Sequence, residues 1–392
     1  MRHRILSFLV AAGVIAAVLI PAEAAFAFTD VPNTYWDYDA ITYVATTNHW
    51  MQDYGTSVFN PTTLETRELV ASALVKAYAP GEPTDPDITF PDLPNTDPYY
   101  PYANVAVKLG WIAPAGNGDF NPDLTMHVEV FDKAIVLAMG LTAPVAGLQH
   151  ITDESGYVYP VPEYFPYEQV ARTLELHFNH PTGSETMDLL PTKAIRRDEV
   201  AYSLWMAKTD PSWLIDETSH FDDVTLPTLN VGVPLQEEKR QLTTTAFAYV
   251  GYPYVYAGEW DKKTGSGYCC GAQPIGGFDC SGYVWWLLKK YEGGYNAASV
   301  RGYAGWSLPE RTSTDMAKNT GSHISFGSLR IGDIMMIADN GGSTWQDVDH
   351  VGVYLGNDWM IHSTGSEDGP TLEWVGDGWY HDMFVWGRRI AS

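Results

Sequence analysis

The amino-terminal half of this 392-residue chain repeats itself, and the repeat restricts what that half can fold into. The tripeptide Phe59-Asn60-Pro61 recurs as Phe120-Asn121-Pro122, 61 residues later. Phe28-Thr29-Asp30-Val31-Pro32 recurs as Phe90-Pro91-Asp92-Leu93-Pro94, 62 residues later. Repeated units of this kind form small helical modules that bury their apolar faces against their neighbours. We therefore expect an all-α array of three copies, the third of them eroded, at 28–87, 88–148 and 149–207.

A charged motif opens the second predicted helix of each copy. It reads Thr66-Arg67-Glu68-Leu69, Met126-His127-Val128-Glu129 and Arg196-Arg197-Asp198-Glu199. An arginine in the first turn of a helix opposes the helix dipole, so stability alone would not select Arg67 and Arg197. The copies resemble S-layer homology (SLH) repeats, three of which form a helical prism that binds an anionic secondary cell-wall polymer. The resemblance implies that Arg67 and Arg197 bind this polymer; the alternative is that nearby acids pair with them.

The segments on either side of the repeats indicate where the parts of the chain begin and end. Arg2, His3 and Arg4 precede the apolar run 5–20, and small residues follow it, which is typical of a signal peptide within 1–27. The run is shorter than the ~20 residues that a membrane-spanning helix needs, so we expect export without stable membrane insertion after cleavage. A retained anchor is the alternative. Residues 208–239, rich in Pro, Asp and Thr, are predicted to link the repeats to a domain at 240–392.

Cys280 lies in the turn Gly277–Gly282, directly before an apolar segment. The spacing of that segment predicts a helix that Gly293-Gly294 ends, with an apolar stripe formed by Val284, Leu287, Leu288 and Tyr291. The unpaired N–H groups at a helix N-terminus favour a thiolate, which is the attacking species of a cysteine nucleophile. The alternative is a buried structural cysteine.

Two histidines follow in a predicted β-hairpin. His350 and His362 lie in alternating runs joined by Gly356-Asn357-Asp358. A three-residue loop pairs Leu355 with Trp359 and places both imidazoles on one face, with His362 opposite Gly352, whereas a two-residue loop would put them on opposite faces. The other face is predicted to be core: Val351, Val353, Leu355, Trp359 and Ile361. Two histidines on one face suit a base and the residue that orients it, although each alone suits an ordinary hydrogen-bonded position.

Residues 243–389 resemble the NlpC family of papain-like cell-wall cysteine peptidases. Five motifs of the family occur in order: Gly251–Gly258, Phe278–Gly282, Leu308-Pro309 with 311–313, Leu329–Asp333, and His350–Gly352 with His362. The resemblance implies a papain-like α+β domain in which an antiparallel sheet packs against the helix that begins at Cys280. Tyr256 and Ala257 depart from the Trp and Gly that are usual in the first motif.

The resemblance also implies the role of each site residue. Cys280 is the nucleophile, His350 is the general base and then acid, and His362 orients His350. The substrate side, near the free amine of a short peptide and the developing oxyanion, is lined by Tyr254, Asp279 and Ser281. For these three the alternative is turn packing or helix capping. The implied reaction is thiolate attack, formation of an acyl-enzyme and hydrolysis, in a peptidoglycan stem peptide, between D-glutamate and a diamino acid.

An insertion and two further cysteines lie before the nucleophile. Residues 259–277 are longer than is typical of the family and contain Cys269 and Cys270. These two form a vicinal disulfide, or one of them pairs with Cys280 in an inactive form, or both are reduced; the sequence leaves all three open. No Cys-x-x-Cys pair or adjacent histidine suggests a tetrahedral metal site, so no metal and no cofactor is expected.

The formal net charge is −25, from 48 acidic and 23 basic residues. Such a charge excludes a nucleic-acid partner, which requires a basic surface. The sequence therefore predicts a secreted cysteine endopeptidase of the cell wall and cell surface, which binds wall polymer and hydrolyses stem peptides. Two alternatives stay open: a catalytically inactive wall-binding surface protein, and an amidase or acyl transferase that uses the same three residues.

Overall fold

The computed structural model describes residues 28–153, 161–209, 212–229, 232–269, 272–290 and 303–391. The predicted signal peptide, residues 1–27, lies outside these ranges. In the part of the chain that they cover, no helix is both long enough and apolar enough to cross a membrane.

The regular elements of the repeat region are helices, as predicted, and each copy has a first and a second helix. Copy one contains Tyr38–Ile41 (α1), which continues as a π-helix over Thr42–Thr47, and Arg67–Tyr78 (α2). Copy two contains Tyr100–Lys108 (α3) and Val128–Ala138 (α4), and Thr142–Asp153 (α5) follows it. Copy three contains Phe165–Thr173 (α6), a 3-10 turn at Glu185–Met187 and Arg197–Thr209 (α7).

Three short extended segments, one before the second helix of each copy, close into a ring. The Glu65 N–H donates to the Ile195 carbonyl at 2.9 Å, Ile195 donates to Met126 at 2.8 Å, and Met126 donates back to Glu65 at 2.9 Å. These three residues are therefore equivalent, and Val128 takes the place of Arg67 in copy two. The cyclic pattern is what three equivalent copies require, and it supports the three-copy interpretation.

The repeated Phe-Asn-Pro tripeptides form identical turns. The Asp30 carboxylate accepts from the N–H groups of Phe59 and Asn60 at 2.9 and 2.7 Å, and Asp92 does the same in copy two at 2.8 and 2.7 Å. Both asparagines have positive φ, 59° and 56°, a conformation that asparagine tolerates better than most residues. In copy three the turn is Leu189-Leu190-Pro191, where the Leu190 carbonyl accepts the turn hydrogen bond. The sequence comparison missed it because both characteristic side chains are replaced.

The predicted linker, residues 208–239, is folded in part. Four of its apolar side chains are buried: Leu214, Phe221, Val224 and Leu229. Phe221, for example, stacks on Trp359 of the carboxy-terminal domain with ring centroids 5.6 Å apart. The segment contains Ser212–Thr218 (α8), a 3-10 turn at Ser219–Phe221 and the start of Pro234–Phe247 (α9). It is therefore not a flexible spacer, and the domain boundary expected at residue 240 falls inside α9.

The carboxy-terminal domain is α+β, as predicted. Five antiparallel strands form a sheet in the order β6-β5-β4-β3-β7, and a two-stranded hairpin, β1-β2, lies apart from it. The elements are Glu259–Trp260 (β1), Gly277–Phe278 (β2), Cys280–Leu288 (α10), Ser313–Lys318 (α11), Ile334–Ile337 (β3), His350–Gly356 (β4), Trp359–Thr364 (β5), Gly369–Trp374 (β6), Gly378–Asp382 (α12) and Phe384–Arg388 (β7). Helix α10 packs on β4 and β5, and residues 281–288 are all buried. Tyr291 and Gly293-Gly294, expected at the end of this helix, lie outside the described residues.

The third copy packs directly on the carboxy-terminal domain. Arg172 of α6 is 1% exposed and bonds the Asp368 carboxylate at 2.6 Å and the Gly251 carbonyl at 2.5 Å. Gln169 donates to the Leu372 carbonyl of β6 at 3.1 Å and accepts from the Leu372 N–H at 2.8 Å. One hydrophobic core runs through both regions, so the repeats and the carboxy-terminal domain form a continuous structure.

Candidate active site

Cys280 begins α10, as the sequence predicts, and the preceding residue caps the helix. The Asp279 carboxylate accepts from the Gly282 N–H at 2.5 Å. A Cβ on Gly282 would lie 1.9 Å from the Gly258 carbonyl oxygen, so the helix start touches the segment that follows Tyr254. Cys280 is a free, partly buried thiol, which places a nucleophile at the N-terminus of a helix.

The hairpin that carries the histidines turns differently from the prediction. Asn357 and Asp358 form a two-residue turn with φ of 50° and 61°, and Gly356 pairs with Trp359. The predicted pairing of Leu355 with Trp359 is therefore wrong. The register shifts between residues 354 and 356, and this bulge compensates for the shorter turn.

Because of that bulge, His362 still pairs with Gly352, and both histidines lie on one face of the sheet. A side chain at Gly352 is excluded, since a Cβ there would lie 2.4 Å from the Met360 sulfur and 3.1 Å from the His362 Cβ. The opposite face is buried core, as predicted. The prediction that both histidines lie on one face is thus correct, although the three-residue turn from which it was inferred is wrong.

The two imidazoles are hydrogen-bonded to each other. His350 Nε2 and His362 Nδ1 are 2.7 Å apart, and the ring planes are perpendicular. Since one nitrogen must donate, a His350 that accepts a proton at Nδ1 keeps its other proton on Nε2 and donates it to His362. His362, which is fully buried, would then fix both the tautomer and the orientation of His350.

Burial favours the neutral thiol of Cys280 over the thiolate. Burial, and then the neighbouring Asp279 carboxylate, raise the pKa of Cys280 to about 12, while burial lowers the pKa of His350 to about 4. The thiol sulfur lies 3.9 Å from the Asp349 carbonyl oxygen, and within the described part of the chain it makes no hydrogen bond to the His350 ring. The predicted contribution of the helix N-terminus is present, since the Ser281 backbone N–H lowers the pKa of Cys280, but burial outweighs it. A neutral thiol requires a base, and the neutral His350 beside it is available for that role.

Arg311 lines the cleft and holds several of its other residues, a role that the sequence did not reveal. It is 5% exposed and bonds Glu259 at 2.6 Å, both Asp279 oxygens at 3.1 Å and the Ser281 hydroxyl at 2.8 Å. Its remaining N–H donates to the Gly258 carbonyl at 3.0 Å. Asp279 and Ser281 are thus fixed by a buried cation next to Cys280. Arg311 lies in one of the five family motifs, but the residues of that motif do not indicate these hydrogen bonds.

The insertion forms one wall of the cleft. Its strands β1 and β2 pair, and Thr264 pairs with Gln273 further out. The Gln273 side chain bridges both arms, accepting from Glu259 N–H at 3.0 Å and donating to the Gly277 carbonyl at 2.9 Å. Cys269, which borders the cleft, is disulfide-bonded, whereas Cys280 is free, so the inactive Cys280 disulfide is not the form in this structure. Cys270 lies outside the described residues.

The third copy reaches the same cleft. Thr182 and Glu185 line it together with Tyr254, Asp279 and Cys280. Tyr254 is held by its backbone N–H, which donates to the Asp368 carboxylate at 3.0 Å, and burial raises the pKa of its phenol. Asp368 is the partner of Arg172 in the third copy, so the repeat region supports a residue of the cleft. Sequence reasoning missed these contacts because they join residues far apart in the chain.

The two arginines assigned to polymer binding have different surroundings. Arg197 is fully buried and bonds Glu65 at 2.7 Å and Asp53 at 3.1 Å, so no surface of it is open to a polymer. The assignment of Arg197 to polymer binding is therefore corrected to a structural role. Arg67 is partly exposed and donates only to the carbonyls of Phe120 and Ala113, at 2.7 and 2.8 Å, with no carboxylate of the described residues paired to it.

Family models match two parts of the chain. The model of the NlpC/P60 family matches residues 251–388, and that of the S-layer homology domain matches residues 89–126. Residues 251–388 are an NlpC/P60 domain. Both predicted resemblances are thereby confirmed, the second of them for copy two; SLH identity of copies one and three stays a prediction.

Curated relatives match the NlpC/P60 domain. The probable peptidoglycan endopeptidase LytE of Bacillus subtilis is 26% identical over 151 residues, which are 38% of this chain and 34% of that protein. The murein DD-endopeptidase/murein LD-carboxypeptidase MepS of Escherichia coli is 28% identical over 125 residues, 32% of this chain and 56% of that protein. The solved peptidoglycan hydrolase RipB of Mycobacterium tuberculosis is 24% identical and covers 43% of this chain and 73% of its own, with a TM-score of 0.29, too low to carry an argument. The chain thus spans 34% and 56% of the length of these two curated relatives.

Proposed function

We propose that this protein is a secreted cysteine endopeptidase that is anchored to the cell wall and hydrolyses peptidoglycan stem peptides, at a D-glutamyl to diamino acid bond. One observation carries the proposal: a free thiol at a helix N-terminus borders a cleft of about 630 Å³, and its sulfur lies 3.9 Å from the carbonyl oxygen of Asp349, the residue before His350, which is hydrogen-bonded to His362. The family match and the two peptidoglycan or murein endopeptidases among the relatives support the substrate class.

In the acylation step His350 acts as the base. Its Nδ1 takes the proton from the Cys280 thiol as the sulfur attacks the amide carbon, and the imidazolium that forms donates from Nε2 to His362 Nδ1. The oxyanion develops near the first backbone N–H groups of α10, which have no partner within the helix and carry the positive end of its dipole. Collapse of the intermediate breaks the C–N bond, and His350 returns the proton to the leaving amine.

Deacylation reverses these roles. A water molecule replaces the departed amine, His350 accepts one of its protons, and the hydroxide attacks the thioester carbon. Collapse expels the Cys280 sulfur, which regains the proton from His350. A base whose pKa is about 4 stays unprotonated through neutral pH and is therefore ready for each cycle.

The charges of the cleft favour a substrate with a free amine. Its lining includes the carboxylates of Glu185, Asp279 and Asp349, whereas the N–H groups of Arg311 are all directed at protein acceptors. Tyr254 borders the same side of the thiol. An ammonium group of a short peptide would be stabilised there by these carboxylates, which supports recognition of stem peptides by their free amino end.

Attachment to the wall is proposed to depend on Arg67. This guanidinium is half-buried, has no carboxylate partner among the described residues, and stacks over Phe120 at 5.0 Å. Burial lowers its pKa, which a bound anion would counteract. An anionic secondary wall polymer at Arg67 would hold enzyme and substrate on one surface and so raise their effective concentration.

Digestion of purified peptidoglycan tests the proposed function. The full chain under reducing conditions is expected to release peptide fragments whose masses, determined by mass spectrometry, identify the bond. Cys280→Ala is expected to release none, and Ser325→Ala, a substitution of an exposed residue outside the cleft, to behave like the unmodified chain. Fragments from the Cys280 variant would exclude the thiol mechanism, and no fragments from any chain would favour the inactive wall-binding protein.

A further inference from the structure

A second cavity, of about 240 Å³, lies beside His362 and shares no lining residue with the Cys280 cleft. Much of its wall is aromatic: Trp213, Trp359, Trp374, Trp379 and Tyr380. It is also strongly acidic, because five of its described lining residues are carboxylates: Glu175, Glu217, Glu367, Glu373 and Asp377. His220 lines it as well, but no lysine or arginine does among the residues described.

Three potential ligand atoms converge at the inner end of this cavity. One ring nitrogen of His362 and one carboxylate oxygen from each of Glu367 and Glu373 all lie within 4.8 Å of one another. His362 Nδ1 is engaged by His350, so Nε2 is the nitrogen that is free. Nε2 is buried without a hydrogen-bond partner, and so is one oxygen of Glu367. Buried polar atoms that lack a partner are costly, which points to a bound group between them.

The backbone explains why these side chains meet. Glu373 on β6 pairs with Met360 on β5, two residues before His362, so the two side chains lie on the same face of neighbouring strands. Glu367 is in the turn between the same strands. No local motif indicates the site, because its ligands come from positions 362, 367 and 373, which fit none of the usual metal-ligand spacings.

We propose that His362 Nε2, Glu367 and Glu373 bind a divalent first-row transition metal ion, of which Zn²⁺ fits best. Imidazole nitrogen and carboxylate oxygen are both zinc ligands, and three protein ligands leave a fourth position for water. Ligand atoms around a tetrahedral zinc lie about 3.4 Å apart, so small side-chain rotations would complete the shell. Mg²⁺ and Ca²⁺ prefer oxygen-only sets and are disfavoured by the imidazole. The adjoining acidic cavity supplies an entry path for a cation.

A metal at this position would act on the histidine pair, a consequence that rests on the proposed peptidase function. Neutral His362 that binds a metal through Nε2 must carry its proton on Nδ1, and it then donates to His350 Nε2. His350 in turn holds its own proton on Nδ1, the atom that must accept the Cys280 proton. The two histidines together hold the same number of protons as before, but His350 is now the tautomer that cannot accept the Cys280 proton at Nδ1. Metal binding should therefore inhibit the enzyme.

Direct binding is the first test, and it does not depend on activity. The full-length Cys280→Ala chain, which lacks the thiol as a competing ligand, is freed of metal and titrated calorimetrically with ZnCl₂ and, separately, MgCl₂. We expect one Zn²⁺ per chain and no comparable Mg²⁺ binding. Glu367→Gln with Glu373→Gln should weaken Zn²⁺ binding at least about 100-fold, whereas Asp377→Asn, which removes an exposed carboxylate of the same cavity, should not. No binding, or binding that is equal in all variants, would overturn the proposal.

A second measurement avoids the risk that the double variant misfolds. Co²⁺ bound to the Cys280→Ala chain should give visible d–d bands of a nitrogen- and oxygen-ligated ion, displaced by one equivalent of Zn²⁺. An octahedral spectrum typical of aqueous Co²⁺ would contradict a three-ligand protein site.

Activity provides the final test of the tautomer argument. Saturating Zn²⁺ should lower kcat/KM of the unmodified chain at least about tenfold, and EDTA should restore it. In the Glu367→Gln, Glu373→Gln chain the ratio of activities with and without Zn²⁺ should be near one. Equal inhibition of both chains would locate the effect at the Cys280 thiol and overturn the link between this cavity and catalysis, whereas an inactive unmodified chain would count against the proposed function and leave the calorimetric result to decide metal binding.

Discussion

The repeat region and the NlpC/P60 domain each bury an arginine among carboxylates, but the two arginines do different things. In the repeat region Arg197 bonds Glu65 and Asp53 and also the carbonyl of Phe59, which belongs to copy one. It joins copy three to copy one and has no exposed surface. Its charge is therefore paired entirely with groups inside the protein.

In the NlpC/P60 domain the corresponding arginine lies at the edge of a cleft. Arg311 bonds Glu259 and Asp279, and Asp279 immediately precedes Cys280. The same ion-pair chemistry therefore closes a ring of repeats in one region and fixes the start of the helix that carries Cys280 in the other. The comparison shows that a buried ion pair is not by itself a sign of function; what distinguishes Arg311 is that its partners border a cavity.

The largest effect should come from Arg311→Met. Removing the guanidinium leaves the carboxylates of Glu259 and Asp279 without their cation, which costs about 3–5 kcal/mol of stability and displaces the helix start that carries Cys280. We expect kcat/KM of the folded protein to fall at least about 100-fold, measured at a temperature well below the melting transition. Arg388→Met, which breaks the pair with Glu310 away from the cleft, is the control. Equal losses of activity in both variants would show that the cleft position of Arg311 is irrelevant.

Arg197→Met should lower the stability of the protein and leave its activity nearly unchanged. The substitution orphans the carboxylate of Glu65, whose pKa burial already raises to about 7, and a loss of about 3–5 kcal/mol in the free energy of unfolding is expected. Urea unfolding followed by circular dichroism measures it. The activity of the protein that remains folded should be within about twofold of normal. A large fall in kcat/KM with unchanged stability would remove the contrast between the two regions.

Acidification should cost stability at one neutral buried histidine in each region, a contribution opposite in sign to that of buried carboxyls with a raised pKa, such as Glu65. Burial lowers the pKa of His350 from 6.5 to about 4, and burial, followed by the Arg172 charge, lowers that of His177 in the repeats to about 3. As the pH falls below 6.5 the unfolded chain gains protons that the folded chain does not bind, so stability decreases down to the folded pKa. His350 alone contributes up to about 3 kcal/mol to this loss.

Unfolding free energies at pH 7 and pH 4.5 test this contribution. Compared with the unmodified chain, the His350→Gln chain should be more resistant to the change from pH 7 to pH 4.5. The His323→Gln chain, in which a histidine that stacks on Trp386 outside the cleft is replaced, should respond as the unmodified chain does. The acid limb of kcat/KM in the unmodified chain should also lie near pH 4 rather than 6.5. A limb at 6.5 would mean that His350 is not held neutral by burial.

Local patterns sufficed to predict the elements of the active site. The turn before Cys280 predicted a helix start, and alternation predicted the histidine face, since both depend on residues close in sequence. The exact turn was predicted wrongly because a β-bulge near Leu355 has no clear sequence signal. The prediction of the face survived because burial of one side of the hairpin fixes its register more strongly than the turn does.

Contacts between segments that are far apart in the chain could not be predicted from the sequence. Arg172 and Asp368 are 196 residues apart and meet only because α6 packs on β6. Arg197 was predicted to be a ligand site from its position in a motif, but the motif does not reveal the burial that Glu65 and Asp53 impose. The linker prediction failed for the same reason, since composition does not show that its few apolar residues have a surface to cover.

The smallest effect, and the sharpest test of the contrast within the repeats, concerns Arg67. It occupies the position of Arg197 in another copy, but it donates to two carbonyls and pairs with no described carboxylate. Arg67→Met should therefore cost only about 1 kcal/mol of stability. Binding to purified cell-wall polymer, measured by co-sedimentation at low salt, should weaken about tenfold, which corresponds to about 1.4 kcal/mol.

Two control variants distinguish binding at Arg67 from general electrostatic attraction and from loss of folded protein. Lys108→Met removes an exposed repeat cation that pairs with Glu82, and it should leave binding unchanged. Arg197→Met should reduce binding only as far as it unfolds the protein. If Lys108→Met weakened binding as much as Arg67→Met, attraction would follow overall charge, and in a chain with a net charge of −25 that would argue against an anionic polymer as the ligand. If Arg67 alone mattered, the missing carboxylate partner would be what distinguishes a binding arginine from a structural one.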